Sequence, residues 1–248
     1  MNHPTDLQKV IRQSRRLEKK YEGKFNQKER EAIQAYRGPD YLPINKLLRE
    51  DRIFAHALSV TGDLREFFEA RKQFLLETIE QLDDATQKVP HGVSTLFRGV
   101  NFGDDEPLFH WKRNQEVIFP ELLSTTFNPD TAYVFSGCGS VSKNAVHGCF
   151  IIFEHAERQP GLFVPPYFKD ANVFSREFEI LLARNTCWKV KQIRRVKLPV
   201  STHCPPDAIG AKIPVYVLEA LPYQKPPRLP WSKQINFYLG PDLTFPLK

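Results

Sequence analysis

Residues Ser175-Arg176-Glu177-Phe178-Glu179-Ile180-Leu181-Leu182 set two carboxylates two positions apart and then run into an apolar, strand-like stretch. Side chains on an extended strand alternate between faces, so Glu177 and Glu179 are expected to point the same way. Neighbouring like charges repel and raise one another's pKa, so a purely structural strand has no evident use for the pair. A site that stabilises a developing cation, or takes a proton from a nucleophile, does have a use. Glu-x-Glu is also common on the solvent face of edge strands, so the pair gains weight only from what stands upstream.

Two upstream segments agree with the functional sense. Leu96-Phe97-Arg98-Gly99-Val100 is a short apolar strand carrying one arginine, followed by a glycine that permits close approach of a ligand to backbone. Glu121-Leu122-Leu123-Ser124-Thr125-Thr126-Phe127 is a strand ending in three consecutive hydroxyl side chains. Each piece alone has low specificity. The ordered set of Arg, Ser-Thr-Thr and Glu-x-Glu has far more.

Around these strands the chain changes texture once. Residues 1–90 are expected to be helical. Asn26-Gln27-Lys28-Glu29 forms a capping-box pattern opening a helix through Tyr36 that halts at Gly38-Pro39, and Pro43 suits the first turn of the next. From Asp63, apolar residues at Leu64, Phe67, Phe68, Phe74, Leu75, Ile79 and Leu82 recur at helical spacing. Past Pro90 the spacing predicts strands near Thr95–Val100, Leu122–Phe127, Cys149–Glu154, Leu162–Val164, Glu177–Ala183, Trp188–Val196 and Ile213–Glu219. Residues 221–248 are proline-rich and are expected to pack over the core or stay partly extended. One domain over 1–248 is the simplest organisation, with a helical lobe at 1–90 and a β core at 91–220.

The 248 residues suffice for one substantial core. With 41% hydrophobic residues and a mean hydropathy of −0.43, an ordinary soluble protein is expected. No apolar run approaches the ~18 residues of a membrane span, and the polar, charged N-terminus shows no secretory signal. Cys138, Cys149, Cys187 and Cys204 are too few for a disulfide scaffold and fit a reducing compartment, although an even count keeps bridges open. The net charge of +6 could draw nucleic acid, an anionic surface or an acidic partner. Much of it (Arg12, Arg15, Arg16, Lys19, Lys20, Lys24, Lys28) alternates with glutamates and apolar positions, which favours a solvated helix face over a nucleic-acid reader. His147, Cys149 and His155, like His203 and Cys204, are close in sequence without paired-ligand spacing, so no metal is expected.

The composite pattern resembles the Arg-Ser-Glu class of mono-ADP-ribosyltransferases, a group that includes bacterial toxins and effectors using NAD. In that family the arginine stands between an aromatic residue and glycine, as in Phe97-Arg98-Gly99. The hydroxyl motif is usually Ser-Thr-Ser, where this chain carries Ser124-Thr125-Thr126, and the glutamate motif matches Glu177-Phe178-Glu179. Tyr41-Leu42-Pro43-Ile44-Asn45-Lys46-Leu47-Leu48-Arg49 is similar to the Ile-Asn-x-x-Leu-Arg segment of the family's helical lobe. The resemblance runs from about Ala32 to about Ala220.

It implies an α+β fold in which two short, roughly perpendicular β-sheets form an NAD cleft beside an N-terminal helical lobe. It also implies NAD as co-substrate, with Arg98 on phosphate or ribose and Gly99 presenting main chain to the nicotinamide amide. Ser124 would position the catalytic carboxylate, Thr125 and Thr126 would organise the strand, and Arg98, Gly99, Ser124, Thr125, Phe127 and Glu179 together would make the NAD-binding set. Phe127 is open to two roles, packing on nicotinamide or filling the core. Glu179 would stabilise the oxocarbenium-like ribose, and Glu177 would orient and deprotonate an acceptor, which in this family is arginine when glutamate stands there. Residues 165–174, with Tyr167, Phe168 and Phe174, resemble the family's substrate-recognition loop, and Asn128 to Asn144 resembles a mobile lid. The expected activity is transfer of ADP-ribose from NAD to an arginine of a target protein by a monomer. Water as acceptor, a non-catalytic binding module and nucleic acid as acceptor are the alternatives. A single domain of this class suggests a soluble enzyme, cytoplasmic or delivered into a host cytoplasm by a route that needs no signal peptide.

Overall fold

The computed structural model describes residues 7–49, 53–54, 64–101, 110–136, 148–164, 178–197, 212–229, 235–240 and 243–247. Helices α1 (Leu7–Tyr21), α2 (Gln27–Arg37), α3 (Tyr41–Leu48) and α4 (Leu64–Lys88) precede most of the strands. On α1, Val10, Ser14, Leu17 and Tyr21 are buried, a helical stripe, while Arg12, Arg15, Arg16, Lys19 and Lys20 face solvent as expected. The capping box at α2 is formed: Glu29 N donates to Asn26 Oδ1 at 3.0 Å and Asn26 N to Glu29 Oε2 at 2.9 Å. The same Glu29 is 2% exposed and meets Lys88 Nζ at 2.7 Å, tying α2 to the end of α4. On α4, Leu75, Leu76, Ile79, Leu82 and Ala85 are buried. Phe74 departs from the apolar face expected from sequence: it is exposed, with the Arg71 guanidinium over its ring.

The β core follows as β2 (Thr95–Asn101), β3 (Glu116–Phe119), β4 (Leu123–Thr126), β5 (Gly148–Glu154), β6 (Gly161–Phe163), β7 (Glu179–Leu182), β8 (Thr186–Lys197) and β9 (Lys212–Ala220). These eight strands hydrogen-bond in the order β3-β8-β9-β5-β2-β4-β7-β6, with β5 and β9 parallel and the other pairs antiparallel. The α+β class is as expected. The two sheets anticipated from sequence are joined into one, through a seam where β2 and β4 share the single register pair Phe97↔Thr126. The central strand β5 is buried on both faces, which is why Cys149-Phe150-Ile151-Ile152-Phe153 is a continuous apolar run. Cys149, Ile151 and Phe153 join the main core with the helical lobe, while Phe150 and Ile152 meet Ala132 in a smaller cluster on the other face.

Two segments depart from the expectations. Asn128–Asn144 is not simply a lid loop: helix α5 (Pro129–Phe135) occupies its first half, because Asn128 Oδ1 accepts from Asp130 N at 3.2 Å and Pro129 takes the first turn. Residues 137–147 lie outside the described ones. The C-terminal segment also carries more structure than a packed tail. Residues 221–229 are pinned to α4, where Arg184 bridges Asp83 and donates to Pro227 O at 2.6 Å and Arg228 pairs with Glu80. Beyond them β10 (Ile235–Gly240) and β11 (Leu243–Leu247) form a small sheet with β1 (Ile53–Phe54). Cys149 and Cys187 are free thiols, and burial pushes the Cys149 thiol up to about 12.

Candidate active site

The seam between β2 and β4 opens into a cleft of about 500 Å³, within the usual size range of small-molecule sites. Strand register decides what reaches it. Thr126 pairs with Glu179 and Ser124 with Leu181, so Ser124, Thr126 and Glu179 share one face across β4 and β7. Arg98 on β2 crosses the seam, and its Nη1 donates to the Ser124 carbonyl at 2.7 Å. The Ser124 side chain in turn hydrogen-bonds the Glu179 carboxylate. Arg98, Ser124 and Glu179 therefore meet at one cavity wall, with Ser124 joined to the other two.

Glu179 is 8% exposed. Burial pushes its carboxyl above the ordinary range, while the bond from Ser124 and then the charges of Arg37 and Arg98 pull it back. Such a carboxylate is desolvated, fixed in direction and partly offset by cations. That suits it to face a sugar carbon that becomes positive as its leaving group departs.

The helical lobe supplies part of the lining as well. Tyr36, Arg37 and Gly38 end α2, Tyr41 starts α3, and all four line the cleft. Tyr36 donates to Leu122 O at 3.0 Å and accepts from Asn45 Nδ2 at 3.0 Å, so the Asn of the Ile-Asn-x-x-Leu-Arg segment helps hold the lobe against the residue that leads into β4. Tyr41 packs edge-on against Tyr36, with centroids 5.3 Å apart. Burial raises the Tyr36 phenol well above its usual value, which keeps it a neutral donor.

Several residues singled out from sequence sit elsewhere or do other work. Gly99 borders the cleft, but a Cβ there would stand 1.8 Å from Ala132 O and 2.4 Å from Ser136 N, so its bareness serves the close approach of α5. Thr125 lines the cleft, is buried, and its hydroxyl donates to Ile180 O at 2.7 Å. The Thr126 hydroxyl accepts from Asn128 N at 3.0 Å and holds the turn into α5. Of the two roles open to Phe127, the core one matches its surroundings: its ring packs with Phe178 and Phe163, centroids 5.6 and 6.3 Å away. β7 begins at Glu179, and Phe178 just before it has φ 50°, a left-handed residue. Glu177, Tyr167, Phe168 and Phe174 lie outside the described residues. Sequence reasoning missed Tyr36, Arg37, Thr131 and Phe135 as cleft residues. The only available signal was the position of Tyr36 and Arg37 immediately before the Gly38-Pro39 stop. Among the described residues, no group of His, Cys, Asp or Glu could hold a metal, and no helix is long and apolar enough to cross a membrane.

An α+β sheet split by a cleft, with Arg, Ser and Glu at the split, defines a transferase of the ADP-ribosylating class. Residues 14–205 match the family described as ADP-ribosyltransferase exoenzyme, and the chain belongs to that family, whose members use NAD as substrate. A comparison with curated protein sequences finds no match. Among solved structures, the chain is similar to the Vis toxin, an ADP-ribosyltransferase from Vibrio splendidus, at 17% identity and a TM-score of 0.53, over 96% of this chain and 93% of Vis. A second Vis structure is in complex with agmatine. Plx2a, an ADP-ribosyltransferase toxin from Paenibacillus larvae, matches at 16% identity and a TM-score of 0.54, over 87% of this chain and 96% of its own. The ADP-ribosylating toxin BECa of a binary enterotoxin of C. perfringens, solved with NADH, matches at 16% identity and a TM-score of 0.57, over 86% of this chain and 48% of its own. At these identities the likeness is one of fold.

Proposed function

We propose that the protein transfers ADP-ribose from NAD to an arginine side chain of a target protein and releases nicotinamide. The observation that carries this proposal is the meeting of Arg98, Ser124 and Glu179 at one cleft, each linked through Ser124. Arg98 would hold the phosphate or ribose of the dinucleotide with a guanidinium that never deprotonates. The Ser124 hydroxyl keeps the Glu179 carboxylate aimed. As the bond from the ribose to nicotinamide breaks, positive charge builds on the sugar, and Glu179 stabilises it. Nicotinamide leaves with the bonding electrons. A guanidine nitrogen then forms the new bond to that carbon and loses a proton, for which Glu177 is the base supplied by sequence. Arginine as acceptor is supported by that glutamate and by agmatine, itself a guanidine, bound in Vis. Use of NAD is supported by the family and by NADH in BECa.

Labelled NAD incubated with a cell lysate tests the proposal. The wild-type protein labels a protein, and mass spectrometry locates the adduct on arginine. Glu179→Gln still binds NAD but is slower by on the order of 10²–10³. Glu177→Gln keeps release of free ADP-ribose and loses labelling of arginine. Free ADP-ribose with no labelled protein would make water the acceptor, and failure to bind NAD would leave only a non-catalytic module.

A further inference from the structure

Away from the cleft, β8 carries five cations and no carboxylate along Thr186–Lys197. The turn before β3 adds Lys112 and Arg113, both exposed, and closes on β8 through Asn114 N to Val190 O at 2.7 Å. We infer that the outer edge of β8 is a docking strand for an extended, acidic segment of a partner protein. The inference does not depend on the cleft being the NAD site: β8 stands three strand intervals from β2, roughly 14 Å.

The edge is open because β3 is short. Its residues pair with Thr186 to Lys189, and Gln115 O and Asn114 N then take the N–H and C=O of Val190. From Lys191 onward, β8 has β9 on one side and no strand on the other among the described residues. Burial agrees. Lys191, Gln192, Ile193, Arg194 and Arg195 are exposed one after another, although Ile213 to Val217 on β9 are all buried.

Charge decides the occupant. Lys191 meets Glu219 at 2.8 Å and Lys189 stands opposite Glu116, while Lys112, Arg113, Arg194 and Arg195 have no ion pair among the described residues. Cations along an edge set like charge against like in a second copy of the same strand, which keeps such edges from pairing with themselves. An acidic strand reverses the sign, and the free main-chain groups then supply its hydrogen bonds.

Placement favours a strand over flatter anions. Ile193 pairs with Tyr216 of the main core and Arg194 with Val215 of the smaller cluster, so Arg194 and Arg195 project from opposite faces of the sheet. A bilayer or a duplex would meet one of those faces. A strand laid along the edge sends its own side chains to both, and carboxylates on it can face Arg194 on one side and Arg195 on the other.

The test titrates a labelled synthetic peptide of glutamate, valine and threonine against the whole chain by fluorescence anisotropy. The same peptide N-methylated at alternate residues, a lysine-for-glutamate peptide, phosphatidylserine vesicles and a single-stranded oligonucleotide are the controls. The acidic peptide is expected to bind, to weaken with added salt and to slow hydrogen exchange at the amides of residues 191–196. N-methylation, which removes donors to the edge, and the double variant Arg194→Glu/Arg195→Glu are each expected to weaken binding about 10-fold or more. Lys112→Glu/Arg113→Glu, outside the strand, carries the charge comparison if the first variant melts early. Absence of peptide binding, equal binding of the N-methylated or lysine peptide, or unchanged exchange at 191–196 overturns the inference. So does tighter binding of the vesicles or the oligonucleotide that the same variants abolish. No arm reads NAD, so failure here leaves the proposed transfer standing.

Discussion

Replacing Gly99 with alanine tests whether that glycine serves a ligand or a helix. The added Cβ would lie 1.8 Å from Ala132 O, where ordinary contact begins at 3.4 Å, so α5 must retreat by about 1.6 Å. The atoms in the way, Ala132 O, Ser136 N and Phe135 C, are all backbone, so no side-chain rotation relieves the clash. Overpacking a tight interior costs ~1–3 kcal/mol, and a rigid backbone obstacle belongs at the upper end. Alanine also stiffens the unfolded chain, which returns ~0.4–1 kcal/mol. A net loss of about 2–3 kcal/mol lowers Tm by roughly 4–12 °C for a chain this long. Circular dichroism melts measure this directly. Gly148→Ala is the control away from the cleft: its Cβ would stand 1.8 Å from Ser136 O, so it should displace the same helix end. The double variant should lose less than the sum of the two singles, because one retreat of α5 relieves both clashes. If Gly99→Ala melts within about 1 °C of wild type while NAD binding collapses, the packing account is wrong and the glycine serves the ligand.

Three further perturbations separate the site's parts. Ser124→Ala removes the strongest influence lowering the Glu179 pKa, so the folded-state value rises further. The acid limb of the turnover profile should then move to higher pH, and an unmoved limb would deny Ser124 its positioning role. His91 is 2% exposed, takes a bond from Val93 N on Nδ1 and meets Gln159 O with Nε2, and burial lowers its pKa from 6.5 to about 4. Its contribution to stability is full above pH 6.5 and is lost as pH falls through about 4, on the order of 3 kcal/mol, so His91→Asn should flatten the decline of Tm across that window. Tyr36→Phe strips Leu122 O of its donor at 3.0 Å and should cost ~1–3 kcal/mol in a urea melt; no change would mean that water replaces the phenol.

Much of the fold was legible because its signals are local. The capping box at Asn26 and the stop at Gly38 set the ends of α2, and β-branched and aromatic runs marked β2, β5, β8 and β9. What escaped was short or non-local. Helix α5 has under two turns, too few for periodicity to show, and its Asn128-Pro129 start was overshadowed by the glycines that follow. Strand β3 spans four residues and is placed by pairing with β8. Strands β10 and β11 depend partly on β1, far away in the chain. At the cleft, Arg98, Ser124 and Glu179 stood in recognisable contexts, whereas Arg37 looks like any basic residue at a helix C-terminus. The left-handed Phe178 had no sequence mark at all.

Arg98 does two jobs, and that bears on how an inert version of this protein should be made. The sheet's two halves share one register pair at the seam, and the guanidinium that faces the cleft also clasps the far side through Ser124 O. A variant at Arg98 would remove the proposed substrate contact and loosen the frame together, so a partner that stopped binding it could not be counted as lost through chemistry. Glu179→Gln keeps the clasp closed. It is the better bait for capturing an acceptor of the proposed transfer.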